Sequence, residues 1–154
     1  REETAAPQNP GAGSGLAGRY FNNMTLAGTP VLTRIEAIDF NWGGSAPSAG
    51  VNANSFSVRW TGTLEAPATG TYRFQTNADD GVRLWINGQP LINRWTNSSA
   101  RNDDSAPVNL VAGERYTVTL EYFENGGQAV ARLRWRPPGT TSFVAIPANR
   151  LFAP

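Results

Sequence analysis

Several segments of the chain alternate apolar and polar residues with a period of two, which is the pattern of half-buried β-strands. In FSVRWTGTLEA, Phe56, Val58 and Trp60 fall on one face, and the polar residues between them fall on the other. The same alternation recurs in TYRFQTNA, VRLWI, RYTVTLEYF and AVARLRW, and no helical periodicity extends beyond a turn or two. The chain is therefore predicted to be built from strands.

Turn residues separate these strands. Asn87-Gly88 follows VRLWI directly and predicts a tight hairpin. The chain also contains 16 Gly and 11 Pro, which indicates frequent turns. Short strands with this punctuation predict an all-β single domain, either a β-sandwich or a jelly-roll-like barrel.

The first residues differ from the rest in composition. Residues 1–15, REETAAPQNPGAGSG, are rich in Pro, Gly, Ala and polar groups, and they predict a flexible linker or a disordered N-terminal tail. Residues 16–154 are predicted to form one β-sandwich domain, a length that can bury a core.

Composition excludes several classes of function. Thirteen basic residues face twelve acidic ones, so no electrostatic footprint for nucleic acid is present. No apolar run approaches the roughly 20 residues of a membrane helix, so we expect no membrane insertion. The absence of Cys and His removes thiol and His-based catalysis and the usual zinc ligands. Carboxylate, amide and carbonyl oxygens remain, and these suit hard cations such as Ca²⁺.

Asp79 and Asp80 stand side by side where a strand pattern ends, and Gly81 follows them. Neighbouring side chains of an extended chain point to opposite faces, so the pair has two interpretations. One is a polar turn, which Asp and Gly favour. The other is a calcium site, for which a cis peptide bond is one backbone solution that lets both carboxylates converge. A second pair, Asp103-Asp104, lies in a polar stretch and is interpreted as a solvated loop.

A second polar segment, Asn125-Gly126-Gly127-Gln128, links two strongly patterned strands. It predicts either a hairpin turn or a loop that offers oxygens to the same cation, since glycine lets backbone carbonyls approach a ligand closely. Trp95 and Trp42 lie near loops and suit either sugar stacking or partial core packing. The tryptophans within strand patterns are predicted to be core residues: Trp60, Trp85 and Trp135.

Several motifs occur together in one order: GLAGRYFNN, DFNWGG, the run from FSVRWTG to LINRW that contains NADDG, LVAGERYTVTLEYFENGGQAVARLRW, and IPANRLF. From residue 16 to 152 the chain resembles the PA14 domain family, which is named after anthrax protective antigen and occurs in fungal adhesins, bacterial surface proteins and glycosidases. The resemblance implies that residues 16–154 form a lectin-like β-sandwich domain. It also implies a monomeric module of a larger secreted or cell-surface protein.

In lectin members of that family, two adjacent aspartates joined by a cis peptide bind calcium, and the calcium binds sugar hydroxyls. A second loop supplies an Asn side chain and backbone carbonyls. The resemblance therefore implies Ca²⁺ as cofactor and a mono- or oligosaccharide with vicinal hydroxyls as partner. The implied metal ligands are Asp79, Asp80, Asn125, Gly127 and Ala129. The predicted sugar contacts are Asp79, Asp80, Gln128 and Trp95.

Two other functions compete with a lectin. In a glycosidase, Asp79 and Asp80 would act as acid and nucleophile, but a retaining enzyme needs carboxyl groups about 5–5.5 Å apart in different environments. Adjacent residues on one cation cannot readily supply a protonated acid, so we expect no enzymatic activity. The other alternative is a spacer, a protein-interaction domain or an accessory domain of a glycoside hydrolase. The intact Asp79-Asp80 pair favours sugar binding over these.

Overall fold

The structure is a computed structural model that describes residues 12–154, and its strands form two antiparallel β-sheets. In chain order the strands are β1 Leu16–Phe21, β2 Leu32–Glu36, β3 Asp39–Gly43, β4 Phe56–Glu65, β5 Gly70–Asp79, β6 Gly81–Ile86, β7 Gln89–Arg94, β8 Arg101–Asp104, β9 Val108–Leu110, β10 Arg115–Glu124, β11 Ala129–Arg136, β12 Val144–Ala145 and β13 Leu151–Phe152.

The larger sheet has the strand order β2-β1-β4-β10-β6-β7, with β13 paired to β4. The smaller sheet has the order β12-β11-β5-β8, with β3 paired to β11 and β9 to β5. The all-β prediction is confirmed in its sandwich form. Neither sheet closes on itself, so the fold is not a closed barrel.

The period-two alternation selects the core as predicted. Phe56, Val58 and Trp60 on β4 are fully buried, and they belong to one hydrophobic cluster with Phe74 on β5. Apolar side chains of both sheets thus meet in a single core, which stabilises the sandwich by removing apolar surface from water. Trp135 is also buried, at 2% exposure.

Trp85 does not lie in the core, and that prediction was wrong. Val82, Leu84 and Ile86 take the inward positions of β6, so Trp85 points outward and is only half-buried. The guanidinium of Arg83, which shares this outer face, lies 5.9 Å from the centroid of the Trp85 ring.

The hairpin predicted at Asn87-Gly88 joins β6 to β7. Both residues have positive φ angles, 52° and 77°, and Ile86 pairs with Gln89 across the turn. These are the backbone angles that a two-residue hairpin of this kind requires, and Asn and Gly adopt them most readily.

The predicted linker falls mostly outside the described residues, since the structure begins its description at residue 12. The N–H groups of Gly13 and Gly15 donate to the carbonyls of Asn149 and Leu151, each over 3.0 Å. The last residues of the predicted linker are therefore joined to the C-terminal part of the domain. The one helical element in residues 12–154 is the 3₁₀ turn Ala148–Arg150, and no helix there is long and apolar enough to cross a membrane.

Two chain crossings between the sheets position the candidate site. The chain leaves the smaller sheet at the end of β5 and enters the larger sheet at β6 through Asp80. It returns from β10 to β11 through residues 125–128. The second segment is therefore a connection between sheets and not the hairpin turn that was one of its two interpretations.

Candidate metal centre

Asp79 and Asp80 bring their carboxylates together at the first crossing. Asp79 is the last residue of β5, and Asp80 leads into β6. The peptide bond between them is cis, as the resemblance implied. The two residues are 8% and 7% exposed, and an oxygen of each lies within 4.8 Å of the other. Adjacent acids thus share one buried location.

Hydrogen bonds from two strands, β10 and β7, hold this backbone segment. The Asp80 N–H donates to the carbonyl of Phe123 over 3.1 Å, and the Tyr122 hydroxyl donates to the carbonyl of Asp79. Arg94, at the end of β7, donates to the carbonyl of Asp80 over 2.9 Å and to that of Ala78 over 3.2 Å. The position of the acid pair, at the end of a strand of the smaller sheet, is therefore fixed by strands of the larger sheet.

Arg94 is in turn held by Asp103. Its Nε donates to Asp103 Oδ2 over 2.6 Å, and Arg101 binds the other oxygen at 3.0 Å. Asp103 and Asp104 belong to β8, which pairs with β5. The interpretation of this pair as a solvated loop was therefore wrong, because the polar segment forms an edge strand whose Asp103 supports the site through Arg94.

The Asp80 carboxylate also receives two backbone N–H groups. Asn125 donates to Oδ1 over 2.9 Å, and Ser98 donates to Oδ2 over 3.1 Å. A carboxylate oxygen has two acceptor positions, so each oxygen keeps one for a further partner. The second loop of the sequence prediction therefore contacts the acid pair directly.

A third carboxylate completes the cluster, and the sequence analysis missed it. Glu124 is the last residue of β10, is fully buried, and neither of its oxygens has a hydrogen-bond partner among residues 12–154. One oxygen from each of Asp79, Asp80 and Glu124 lies within 4.8 Å of the others. Alternation along β10 could have found it, because Leu120 and Tyr122 point into the core and Glu124 continues their phase.

Burial and the crowding of the acids change the protonation of Glu124 and Asp79. Burial, together with the contact with Asp80 and the negative charges of both aspartates, raises the pKa of Glu124 to about 9. Burial, and then the charge of Asp80, raises the pKa of Asp79 to about 6, while the charge of Arg94 acts in the opposite direction. Each negative charge is thus disfavoured unless a positive charge accompanies it.

These residues fit a hard divalent cation. Three carboxylate groups converge, each oxygen of Asp80 keeps a free acceptor position, and the oxygens of Glu124 have no hydrogen-bond partner among residues 12–154. Carboxylate oxygens are the ligands that Ca²⁺ and Mg²⁺ prefer, and Ca²⁺ tolerates irregular arrangements of six to eight of them.

The second loop is exposed and braced by a third loop. The Ser55 N–H donates to the carbonyl of Asn125 over 3.1 Å, and the Gly127 N–H donates to Asn54 Oδ1 over 3.2 Å. Gln128 is exposed beside Gly43, whereas Ala129 is fully buried at the start of β11. The loop is thereby held next to Asp80 with its polar groups facing solvent.

The ring of Phe123 explains why position 81 is occupied by glycine. A Cβ at position 81 would lie 2.0 Å from Phe123 Cε2, which is far inside van der Waals contact. The two residues pair directly between β6 and β10. The glycine after the two aspartates therefore makes room for an aromatic ring beside the acid pair.

Trp95 packs against the other side of this region. Its ring meets Phe123 edge-on with centroids 4.8 Å apart, and the guanidinium of Arg83 lies 3.7 Å from the Trp95 centroid. Glu121 fixes Arg83 through an ion pair of 2.8 Å. One face of the indole is thus covered. Trp42 stacks on Phe40 at 4.7 Å and serves core packing.

Comparison with known proteins identifies the family. The PA14 domain model matches residues 13–148, nearly all of the described chain. The chain belongs to the PA14 domain family. It is 38% identical over 142 residues to the anti-sigma-I factor RsgI3 of Acetivibrio thermocellus. The aligned region covers 92% of this chain and 22% of that protein. The PA14 domain thus spans about a fifth of this curated relative.

Two solved structures share the fold. An anti-sigma factor domain-containing protein from Clostridium clariflavum superimposes with a TM-score of 0.88 at 36% identity, covering all of this chain and 52% of that one. A structure described as a PA14 sugar-binding domain from an RTX adhesin gives a TM-score of 0.76 at 21% identity, covering 93% of this chain and all of that one. At that identity, the second likeness shows the fold alone.

Within this PA14 domain, the predicted site residues fall into two groups. Asp79, Asp80 and the backbone of Asn125 are in contact or within one cluster. The other predicted residues, Gly127, Ala129, Gln128 and Trp95, are outside that set. Metal binding by Asp79, Asp80, the Asn125 side chain and the carbonyls of Gly127 and Ala129 stays a prediction, and so does sugar contact by Gln128 and Trp95.

Proposed function

We propose that this PA14 domain is a calcium-dependent carbohydrate-binding module of a larger secreted or cell-surface protein. The observation that carries the proposal is the convergence of the Asp79 and Asp80 carboxylates beside the second loop, where Asn125 donates to Asp80 over 2.9 Å. A neutral sugar gains little binding free energy from carboxylates alone, so we infer that the acid pair binds a cation.

In this proposal, buried residues of the domain and residues of the exposed second loop bind the cation from two sides. Asp79 and Asp80 hold the cation from within the domain, at 8% and 7% exposure. Asn125, Gly127 and Ala129 complete the ligand set from the second loop. Bound Ca²⁺ supplies coordination positions that two vicinal hydroxyls of a sugar can occupy.

Exposed groups around the second loop give the sugar its further contacts. The amide of Gln128 is exposed and donates or accepts hydrogen bonds with hydroxyls next to the ion. Trp95 contributes apolar contact through the part of its ring that Arg83 leaves uncovered. A shallow site of this kind binds a monosaccharide weakly, with a Kd on the order of millimolar to high micromolar. Adhesion then depends on several copies acting together.

The comparisons support binding in two biological settings. The solved RTX adhesin domain is described as sugar-binding, which favours an adhesive module. The anti-sigma relatives favour a second candidate, in which the same module recognises a glycan as the input of a regulatory protein. Both settings use the same site, and both place the glycan outside the cell.

The module is a binder and not an enzyme. The three acids share one buried cluster, and a cation held between them leaves none with the independent environment that an acid catalyst needs. Incubation with chromogenic glycosides should give no turnover. Hydrolysis that disappears in Asp80→Ala would overturn this part of the proposal.

A glycan array probed with calcium and again with chelator tests the function. Binding should appear only with calcium and should vanish in Asp80→Ala. Asp104→Ala is the matched control, because Asp104 is an exposed acid on β8 outside the cluster. Binding that persists in chelator would contradict the role of the cation, and the absence of any bound glycan with calcium present would contradict sugar recognition.

A further inference from the structure

A cavity lies at the end of the sandwich opposite the candidate metal centre. β6 begins beside the acid pair at Gly81 and reaches this cavity at its last residue, Ile86, about 17 Å further along the strand. The cavity has a volume of ≈ 350 Å³ and is open to solvent. Ligand pockets span about 300–1,000 Å³, so there is room for a small ligand or for one large side chain of a bound peptide.

The edges of the two sheets form the walls of this β7–β9 cavity. β7 is the last strand of the larger sheet, and β9 pairs within residues 12–154 with β5 alone. The floor consists of Ile86 and Leu110, which belong to the hydrophobic core and are 1% and 2% exposed. Leu91 and Val108 line the walls and are half-buried. The cavity therefore extends the apolar core of the sandwich out to solvent.

Further apolar surface surrounds the opening. Pro90 and Pro107 line the cavity and are exposed. Val111, which follows Leu110, is 51% exposed, and its N–H donates to the hydroxyl of the lining residue Tyr116 over 2.9 Å. Adjoining exposed apolar groups are typical of an interaction site. Since proline has no N–H to offer an added strand, we expect a partner to be recognised mainly through side chains of the domain.

The polar groups of the β7–β9 cavity are uncharged. Asn87, Gln89 and Asn109 line it with exposed side-chain amides. Asn109 Oδ1 accepts the hydroxyl of Thr71 over 2.8 Å, which fixes this amide and leaves its NH₂ group for a partner. None of the lining residues within 12–154 is charged, although the chain carries 13 basic and 12 acidic residues. The cavity therefore suits an uncharged ligand that both donates and accepts hydrogen bonds.

We propose that the β7–β9 cavity binds an uncharged peptide segment of a partner protein. One large aliphatic side chain of the segment fills the space above Ile86 and Leu110. The peptide groups beside it pair with the side-chain amides at the opening, because both kinds of amide offer an N–H and a C=O. A sugar fits this floor less well, since hydroxyls around its ring would face apolar side chains without hydrogen-bond partners.

The proposed segment binds independently of the cation. The β7–β9 cavity shares no residue with the carboxylate cluster of the candidate metal centre. The domain would then bind a glycan at one end of the sandwich and a protein at the other. Calcium and chelator should therefore give the same affinity for a peptide.

A panel of three peptides tests the proposal on the unaltered chain. Acetylated and amidated pentapeptides of glycine and serine carry leucine, alanine or glutamate at the centre, and each is titrated into the ¹⁵N-labelled domain. The leucine peptide should shift backbone amide signals of residues 86–91 and 107–111, with a Kd on the order of millimolar. The alanine peptide should bind about tenfold more weakly, because less apolar surface is buried. The glutamate peptide should not bind, because no charged group of the cavity compensates its carboxylate.

Asn109→Asp tests the amides, and Asn93→Asp is its control. The new carboxylate still accepts the Thr71 hydroxyl, so the melting temperature should stay close to that of the wild type. It cannot donate to a peptide carbonyl, and the Kd of the leucine peptide should rise about tenfold. Asn93 is an exposed residue of β7 outside the cavity lining, and its variant should bind like the wild type. Equal affinities of both variants and the wild type would overturn the proposed pairing.

The titrations also distinguish the other occupants. Equal binding of all three peptides, or shifts confined to signals outside the cavity, would overturn the proposal. Glucose or cellobiose that shifts the cavity signals in chelator, where the leucine peptide does not, would make this a sugar site instead. If none of these probes shifts the cavity signals while calcium and glycan bind at the other end, this inference is wrong and the proposed function stands.

Discussion

The backbone N–H of Asn125 donates to Oδ1 of Asp80 over 2.9 Å, although 45 positions separate the two residues in the chain. This bond joins the two segments that cross between the sheets, β5 to β6 and β10 to β11. The acid pair and the exposed loop are therefore one structural unit. A change that displaces the loop also displaces a carboxylate of the candidate metal centre.

Calcium should stabilise the fold. An ion that binds only the folded state at a hundredfold excess over its Kd adds about 2.7 kcal/mol to the free energy of unfolding. For a domain of this size, the melting temperature should rise by roughly 5–10 °C. Asp80→Asn should abolish this rise, while Asp104→Asn should keep it. Calorimetric melts that coincide in calcium and in chelator would argue against a cation site.

Arg94→Lys should weaken calcium binding, although residue 94 is not a proposed ligand of the ion. The planar guanidinium binds the carbonyls of Ala78 and Asp80 and the carboxylate of Asp103, and an ammonium cannot make this set of bonds. Loss of such a supporting residue costs about 10–100-fold in metal affinity. Arg101→Lys, which changes an exposed partner of Asp103, is the control. Equal calcium affinities in the two variants would show that Arg94 does not position the acids.

Gly81→Ala should destabilise the domain by about 1–3 kcal/mol, the usual cost of overpacking. The new Cβ would lie 2.0 Å from Phe123 Cε2, and Trp95 packs edge-on against the same ring, which limits its movement. Urea unfolding in chelator measures the effect free of the metal. Gly44→Ala is the control, because a Cβ there meets nothing within 4 Å. Similar unfolding midpoints for the two variants would mean that the ring of Phe123 moves aside at little cost.

Gln128→Ala should separate sugar binding from metal binding. Its amide is exposed on the second loop and belongs to the predicted sugar contacts rather than to the carboxylate cluster. The affinity for a sugar should fall about 5–10-fold, consistent with one lost hydrogen bond, while the calcium Kd stays unchanged. Calorimetry with each ligand in turn measures both. A loss of calcium binding would instead show that the side chain supports the metal centre.

Much of the fold follows from local patterns. Alternation along β4 correctly selects Phe56, Val58 and Trp60 for the core, and Asn87-Gly88 correctly predicts the hairpin between β6 and β7. Trp85 was predicted to be buried because it stands within a strand pattern, but its phase on β6 points it outward. Phase is the more reliable guide, because neighbouring side chains of a strand must face opposite sides.

Only some residues of the candidate site could be predicted from the sequence. The Asp79-Asp80 pair and the loop after residue 124 were found because unusual residue types stand next to each other. Asp103 was misread because its role depends on Arg94, which contacts it from a different strand.

The sequence by itself determined which residues point inward along each strand and which short motifs bend the chain. Only the tertiary structure decided which inward-facing groups meet. The alternation of β10 places Glu124 on the core side together with Tyr122, but nothing in that strand states what lies opposite. Its neighbours are Asp79 and Asp80, more than 40 positions earlier in the chain. A carboxylate in the core phase becomes part of a candidate metal centre only when two sheets pack, because packing removes water from all three acids at once and leaves their charges to be compensated together.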